Sequence, residues 1–167
     1  MLDSSRPACP IPPVGWIRSP FAQAAGVPIQ AALDNEHQGR VEIEPAWQDG
    51  LQDLEGFERL WLVTWLHAVS GPRLRVTPFM DDQPHGVFAT RAPTRPNPIG
   101  LSCVRLLSRE GCCLHIAGID VLDGTPVLDI KPYIPRFDAF PVSRAGWCDQ
   151  VGESARTIAD DRFAGQG

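Results

Sequence analysis

Proline and glycine divide this chain into short segments along its whole length. The 167 residues include 17 prolines and 15 glycines, and the apolar runs between them are short. Proline fixes φ and lacks an amide proton, while glycine frees the backbone, so both residues favour turns over long continuous elements. A chain divided in this way is expected to form many short strands joined by turns.

Alternating or compact apolar segments support this expectation. They predict strands over residues 14–18, 39–44, 60–69, 73–77, 87–90, 99–107, 114–121 and 127–130. The run LWLVTWLHAV at 60–69 also fits a buried helix, because short apolar runs do not separate the two. A helical turn or two is predicted over 47–57, where Trp47, Leu51 and Leu54 share one helical face.

The order of these elements predicts a mainly all-β domain, either a barrel or a sandwich. No GxGxxG segment and no alternation of strands with helices occurs in the sequence, which argues against a Rossmann-type cofactor domain. With 167 residues and 43% apolar content, the chain is large enough for one compact domain. We expect a flexible leader at 1–13, the domain at 14–148 and a polar tail at 149–167. A long loop at 21–38 is a candidate for function.

Charge and cysteine content exclude several classes of protein. The net charge of −5 argues against a non-specific nucleic-acid binder. Residues 83–109 nevertheless contain no acid and four arginines, a basic region that suits a phosphate or a carboxylate. The sequence shows neither a secretion signal nor an apolar run long enough to span a membrane, so we expect a soluble, cytoplasmic protein. Its five cysteines are expected to be reduced thiols without a metal.

The first unusual motif is GVFATRAPTRPNPIGLS at residues 86–102. Three of its prolines fall within six residues, and each also pushes the residue before it toward extended geometry. The segment is therefore predicted to be a stiff loop between two strands. Arg91 and Arg95 on such a loop would be fixed donors for an anion.

The second motif is DVLDGTPVLDIKPYIP at residues 120–135. Its Asp-Gly pair is typical of a hairpin turn. Asp129 and Lys131 are two residues apart in a predicted strand and so share one face, and Tyr133 follows on that face. These three side chains form either a paired polar surface or a catalytic group.

Together the two motifs resemble the TsaA-like (YaeB) family, which includes the TrmO-type tRNA methyltransferases. The similarity extends over about residues 14–147 and includes GWIRSP at 15–20 and His67. The resemblance implies a compact β-barrel that binds S-adenosylmethionine outside the Rossmann class, as a homodimer. The implied reaction is methylation of threonylcarbamoyladenosine, next to the anticodon of tRNA, at the nitrogen attached to the purine.

The resemblance also implies a set of cofactor-binding residues. They are Ala31, Ala32, Leu33, His67, Arg91, Leu101, Val121, Leu122, Asp123 and Gly124. A lone histidine in an apolar run such as that around His67 is also a common core residue. We assign Arg91 to the cofactor carboxylate or a substrate anion, Arg95 to a phosphate or the threonyl carboxylate, and Asn97 to a base or ribose edge.

Methyl transfer from a sulfonium requires alignment of donor and acceptor and no covalent nucleophile. The accepting nitrogen must lose a proton, which makes Asp129 or Asp123 a candidate general base, with Lys131 or Tyr133 tuning it. Two alternatives remain at this point. The same domain could methylate a small molecule, or it could be a ligand-binding barrel without catalytic activity.

Overall fold

The computed structural model describes residues 11–31, 37–152 and 158–164. Its eight strands, in chain order, are β1 (Gly15–Arg18), β2 (Gln38–Ile43), β3 (Arg59–Trp65), β4 (Arg75–Val76), β5 (His85–Gly86), β6 (Ile99–Glu110), β7 (Cys113–Ala117) and β8 (Pro126–Pro132). Six of them form a closed antiparallel barrel in the order β1-β2-β7-β6-β3-β8. The pairing of β8 with β1 closes it. Strands β4 and β5 form a separate two-stranded sheet.

The interior of the barrel follows from the alternation seen in the sequence. On β3, Leu60, Leu62 and Thr64 are buried, while Trp61 and Val63 between them face outward. The same alternation on the other strands fills the interior with aliphatic side chains. These include Ile17, Val41, Val104, Leu114, Ile116 and Val127. Each contributes up to about 1.5–3 kcal/mol through burial. The barrel prediction is confirmed, and the helical alternative for 60–69 is wrong because β3 pairs with β6 and β8 on its two edges.

Helical structure in the described residues is limited to short turns. The 3₁₀ turns Pro45–Leu51 and Leu54–Gly56 lie where one or two helical turns were predicted, and they bury Leu51 and Leu54 against the barrel. Other turns cover Val87–Ala89, Gly146–Gln150 and Asp161–Phe163, and α1 covers Pro135–Asp138. None of these helical segments is long and apolar enough to cross a membrane.

Four predicted strands differ from the structure, and the one at 73–77 is shortened to Arg75–Val76. The stretch at 87–90 is a 3₁₀ turn, which the Thr90 hydroxyl closes by donating to the Val87 carbonyl at 2.9 Å. Strand β3 ends at Trp65. The next amide, that of Leu66, donates to the carbonyl of Pro98 in the loop at residues 90–98, which we name the proline-rich loop. Strand β7 ends at Ala117, where Gly118 takes a φ of 79° that an extended strand does not use.

The region predicted as a polar tail is partly built into the fold. Residues 158–164 form two isolated bridges, Pro28 with Ile158 and Val69 with Ala164. Phe163 is only 5% exposed and belongs to a second apolar cluster with Val76, Val87 and Ala92. One buried aromatic ring and backbone pairing hold the segment despite its polar composition. The predicted leader lies mostly outside the described residues.

Candidate functional site

A cavity of about 780 Å³ lies beside the first residues of β6. This volume is within the range of small-molecule binding sites. Its walls come from five parts of the chain. These are the early loop before β2 (residues 21–31), the segment after β3 (residues 66–70), the proline-rich loop, the β7–β8 connection and residues 158–164. Most of the lining is apolar, and a few polar side chains converge on it. These are chiefly Gln30, His67, Arg91, Ser102 and Asp120.

Asp120 is a half-buried carboxyl group on the wall of this cavity. The Ser102 hydroxyl donates to its Oδ1 at 2.5 Å, and the Ala31 amide donates to its Oδ2 at 2.7 Å. Burial raises the pKa of Asp120, and these two hydrogen bonds and the charge of Arg91 oppose the increase. In the described part of the chain, no basic side chain lies within ion-pair distance of this carboxyl. A desolvated carboxylate without a cation favours a positively charged ligand.

Arg91 supplies the opposite charge on the wall of the cavity. Its side chain is exposed, and Nη1 donates to Oε1 of Gln30 in the early loop. A planar guanidinium can bind a carboxylate through two parallel hydrogen bonds. The site thus offers separate positions for a cation and for a carboxylate.

Arg95 has a different role from Arg91. Its Nη1 donates to the carbonyl oxygens of Val87, Thr90 and Ala92 at 3.1, 2.7 and 3.3 Å. These hydrogen bonds join the second half of the proline-rich loop to its first half and to the preceding 3₁₀ turn. The predicted stiffness of the loop therefore has an additional source, and Arg95 lines the cavity from a fixed position.

Gly100 allows a close approach of two cavity-forming segments. A Cβ atom at this position would lie 2.5 Å from Oγ1 of Thr64 and 2.9 Å from Cδ2 of Leu66. Glycine is therefore required where β6 passes the end of β3. Leu66, which Gly100 contacts, is followed in sequence by His67, and His67 lines the cavity.

The structure brings together half of the ten predicted cofactor residues. His67, Arg91, Leu101, Val121 and Leu122 all line the cavity. The Ala31 amide binds Asp120 on the cavity wall, and Ala32 and Leu33 lie outside the described residues. Cofactor binding by these residues stays a prediction.

Asp123, Gly124 and Asn97 lie outside the cavity wall. The Ser19 amide donates to Oδ1 of Asp123 at 3.1 Å, and Arg18 approaches the same carboxylate at 3.8 Å. Gly124 has a φ of 72°, as expected for the predicted turn. Asn97 is exposed on the proline-rich loop.

The predicted catalytic group lies on the outer face of β8. The Lys131 Nζ is 2.7 Å from Oδ2 of Asp129, which confirms that the two share a face. Tyr133 packs edge-on against Trp61, with ring centroids 5.7 Å apart. Along the ladder, Asp129 is opposite Val63 and Val63 is opposite Leu101. Two strand spacings place the Asp129 backbone on the order of 10 Å from the cavity wall.

Sequence reasoning missed several residues of the site, among them Ser102, Asp120 and Trp147. The Ser102 hydroxyl binds the Asp120 carboxyl, and Trp147 lines the cavity while its Nε1 donates to the Ala89 carbonyl at 2.8 Å. A signal for Asp120 was present, because it is the one acid in the apolar run LHIAGIDVL at 114–122. Ser102 ends the first motif, where nothing marked it as the partner of Asp120, and Trp147 carried no comparable signal.

Comparison with known proteins identifies the family. Residues 16–139 match the model of the tRNA-methyltransferase O N-terminal domain. A probable S-adenosyl-L-methionine-binding protein of Pyrococcus abyssi is 46% identical over 149 residues, which cover 89% of this chain and 81% of that protein. The tRNA (adenine(37)-N6)-methyltransferase of Escherichia coli is 35% identical over 161 residues, covering 87% of this chain and 66% of that protein.

Solved structures give the same result. The crystal structure of TrmO from Pseudomonas aeruginosa superimposes with a TM-score of 0.70 at 40% identity, covering 83% of this chain and 62% of that chain. The chain thus spans about three fifths of the Pseudomonas protein. The family match over 16–139, the Pyrococcus relative and the shared barrel confirm the resemblance of the two motifs, and the chain belongs to the family of the tRNA-methyltransferase O N-terminal domain.

Proposed function

We propose that this chain is an S-adenosylmethionine-dependent methyltransferase whose cofactor occupies the cavity beside β6. The observation that carries this proposal is the half-buried carboxylate of Asp120 facing a cavity of cofactor size, with Arg91 on the same wall. The acceptor that we propose is threonylcarbamoyladenosine next to the anticodon of tRNA. The name of the E. coli relative, tRNA (adenine(37)-N6)-methyltransferase, supports an adenine of tRNA as the methylated base.

The residues present fit the chemical groups of S-adenosylmethionine. The molecule carries two cations, a carboxylate and an adenosine. Asp120 suits a cation, Arg91 suits the carboxylate, and the apolar wall that includes Leu101 and Val121 suits the adenine ring. We also propose cofactor contacts for the wider set implied by the family, namely Ala31, Ala32, Leu33, His67 and Leu122. Asp123 and Gly124, which the family also implies, lie outside the cavity wall in the turn directly after Leu122, and cofactor contact through this turn is proposed for them.

The contribution of the protein to the reaction is mainly positioning. The cofactor, when bound, supplies an electrophilic methyl group. The chain holds the acceptor in line with it, and such alignment can lower a barrier by about 7–11 kcal/mol. The stiff proline-rich loop, fixed by the three bonds from Arg95, is suited to this task.

Proton removal from the accepting nitrogen is proposed for Asp129, with Lys131 and Tyr133 tuning it. Direct transfer needs hydrogen-bond distance, and the outer face of β8 is on the order of 10 Å from the cavity wall. A base role for Asp129 therefore requires that the acceptor nitrogen lies at this outer face. If the nitrogen lies deeper, Asp120 is the nearer carboxylate.

We place the acceptor at the Arg-Pro segment of the proline-rich loop. Arg95 donates to the loop carbonyls through Nη1, and we propose the other edge of its guanidinium for a phosphate or the threonyl carboxylate. Exposed Asn97 is proposed to meet a base or ribose edge. The homodimer implied by the family stays a prediction, which sedimentation of the full chain tests.

A small-molecule acceptor is the second candidate function. The net charge of −5 favours it, because a polyanionic RNA is repelled by an acidic body. A ligand-binding barrel without catalysis is a third candidate, and any methyl transfer by the purified chain would exclude it.

The test is methyl transfer with isotope-labelled S-adenosylmethionine. The purified full chain is incubated with tRNA that carries threonylcarbamoyladenosine without the methyl group, and the digested nucleosides are analysed by mass spectrometry. We expect the label on threonylcarbamoyladenosine and a large loss of label with Arg91→Ala. Absence of label from every tRNA nucleoside, with cofactor binding retained, would contradict tRNA as the acceptor and favour the second candidate.

A further inference from the structure

The segment at 158–164, which we name the clasp, forms part of the cavity wall although it lies beyond the family match at 16–139. Ala159, Asp160, Phe163 and Ala164 line the cavity. Part of the candidate cofactor site is therefore built by a segment far from both motifs in sequence.

The first attachment of the clasp is to the early loop. The Ala159 amide donates to the Val27 carbonyl at 2.8 Å, and the Gly26 amide donates to the Ala159 carbonyl at 3.1 Å. The same loop continues to Ala31, whose amide binds Asp120. The clasp and the Asp120 carboxylate thus hold the early loop from two positions.

The second attachment is to the segment after β3. Val69 and Ala164 form a bridge, and the Ser70 amide donates to the Phe163 carbonyl at 3.2 Å. This segment carries His67 on the cavity wall. A shift of the clasp would therefore move a second part of the site.

The third attachment is made by side chains. Phe163 packs edge-on against Phe79, with ring centroids 5.1 Å apart. The Arg162 guanidinium lies 4.9 Å from the centroid of Phe79 and donates to the carbonyl of Pro78 at 3.2 Å. Asp160 orients this guanidinium through contacts of 2.8 and 2.9 Å. Pro78 and Phe79 also line the cavity.

We propose that the clasp completes the cofactor pocket, with Arg162 and Phe163 as positioning residues that hold three wall-forming loops in their binding arrangement. This inference rests on the proposed function. Fixing a loop residue costs conformational entropy, so a clasp that already orders the loops leaves less of this cost to binding. Docking of the clasp and binding of the cofactor should therefore stabilise each other.

The test is titration calorimetry of S-adenosylmethionine with full-length variants. Phe163→Ala and Arg162→Ala are each expected to weaken binding tenfold or more. The matched control is Asp161→Ala, which changes an exposed side chain within the same segment and should stay within twofold of the wild type. Phe163→Leu, which retains an apolar side chain, should recover most of the affinity lost in Phe163→Ala.

Hydrogen exchange gives a readout that does not depend on activity. Adding S-adenosylmethionine to the wild type should slow exchange of the Ala159 and Ser70 amides, which join the clasp to its neighbours. This protection should be lost in Phe163→Ala. Phe163 does not belong to the barrel core, so circular dichroism should show that the barrel remains folded. If the barrel unfolds in Phe163→Ala, the cofactor affinities of Arg162→Ala and Phe163→Leu test the role of the clasp instead.

The outcomes separate the two proposals. Wild-type affinity in both Arg162→Ala and Phe163→Ala, with unchanged amide protection, would overturn the role of the clasp and leave the proposed function intact. Failure of the wild type to bind S-adenosylmethionine would overturn the proposed function, and the role of the clasp with it.

Discussion

The hydroxyl of Ser102 lies 2.5 Å from Oδ1 of Asp120 and joins β6 to the β7–β8 connection at the cavity wall. The other oxygen of the same carboxyl accepts the Ala31 amide. One half-buried acid therefore connects three segments that form the candidate cofactor site. A cationic ligand in the cavity would neutralise this acid at the point where the three segments meet.

Replacing Asp120 by asparagine should weaken binding of S-adenosylmethionine about 10- to 100-fold. This range corresponds to the roughly 1.5–3 kcal/mol of a hydrogen bond to a charged group. Titration calorimetry measures it, with Glu110→Gln as the control, since that acid has a 78% exposed side chain at the other end of β6. Equal losses in the two variants would show that the effect is one of overall charge.

The affinity for S-adenosylmethionine should depend on pH. Burial raises the pKa of Asp120 above its ordinary value of 3.8, and only the ionised carboxyl attracts a cation. As pH falls through the raised pKa, the group takes up a proton and the affinity should decrease. The decrease should be absent in Asp120→Asn and should persist in His67→Gln, which changes the histidine on the cavity wall.

The stability of the ligand-free chain should change with pH in the direction opposite to the cofactor affinity. Because the pKa of Asp120 is raised on folding, the folded chain binds more protons than the unfolded chain between 3.8 and the raised value. The contribution of this group to the free energy of unfolding therefore falls as pH rises through that window. Denaturant titrations of the wild type and Asp120→Asn at several pH values isolate it. A difference between the two that does not change with pH would contradict the assignment.

The barrel was predictable because its strands carry the period-two alternation of half-buried sheets. Strand β3 alternates buried and outward side chains along its whole length, and local pattern alone identifies such a segment. The turn at 87–89 was not predictable in this way. Its short apolar run resembles a strand, while the bonds that close it come from Thr90 and from Arg95 in the following loop.

The site was predictable only in part, because some of its contacts join segments that are separated in the sequence. Arg91, Leu101 and Val121 belong to motifs that resemble the family, and all three line the cavity. Asp120 and Phe163 act through contacts with residues distant in sequence, Ser102 in one case and Phe79 in the other. Such pairings form only in the folded chain, and the local pattern does not show which residues meet.

The two arginines of the proline-rich loop should separate stability from binding. Arg95→Ala removes a donor shared by three backbone carbonyls, so the free energy of unfolding should fall by about 1–3 kcal/mol. Arg91→Ala changes an exposed side chain, so stability should stay within about 0.5 kcal/mol while cofactor affinity falls tenfold or more. Denaturant unfolding and calorimetry measure the two effects. The reverse pattern would mean that these roles are exchanged.

Asp129→Asn tests the general-base hypothesis without disturbing the cavity. The carboxylate lies on the outer face of β8 and pairs with Lys131, so affinity for S-adenosylmethionine should not change. If Asp129 removes the proton, single-turnover methylation of tRNA should slow by roughly 10²–10⁴-fold. An unchanged rate, together with a slow Asp120→Asn variant, would transfer the role of base to the cavity carboxylate.

The most direct test is titration of S-adenosylmethionine into the full-length wild-type chain, with Asp120→Asn and Arg91→Ala measured alongside. We expect one molecule bound per chain and clearly weaker binding in both variants, since the two residues supply the opposite charges of the cavity. No binding by the wild type, or equal binding by all three proteins, would contradict the assignment of this cavity to the cofactor.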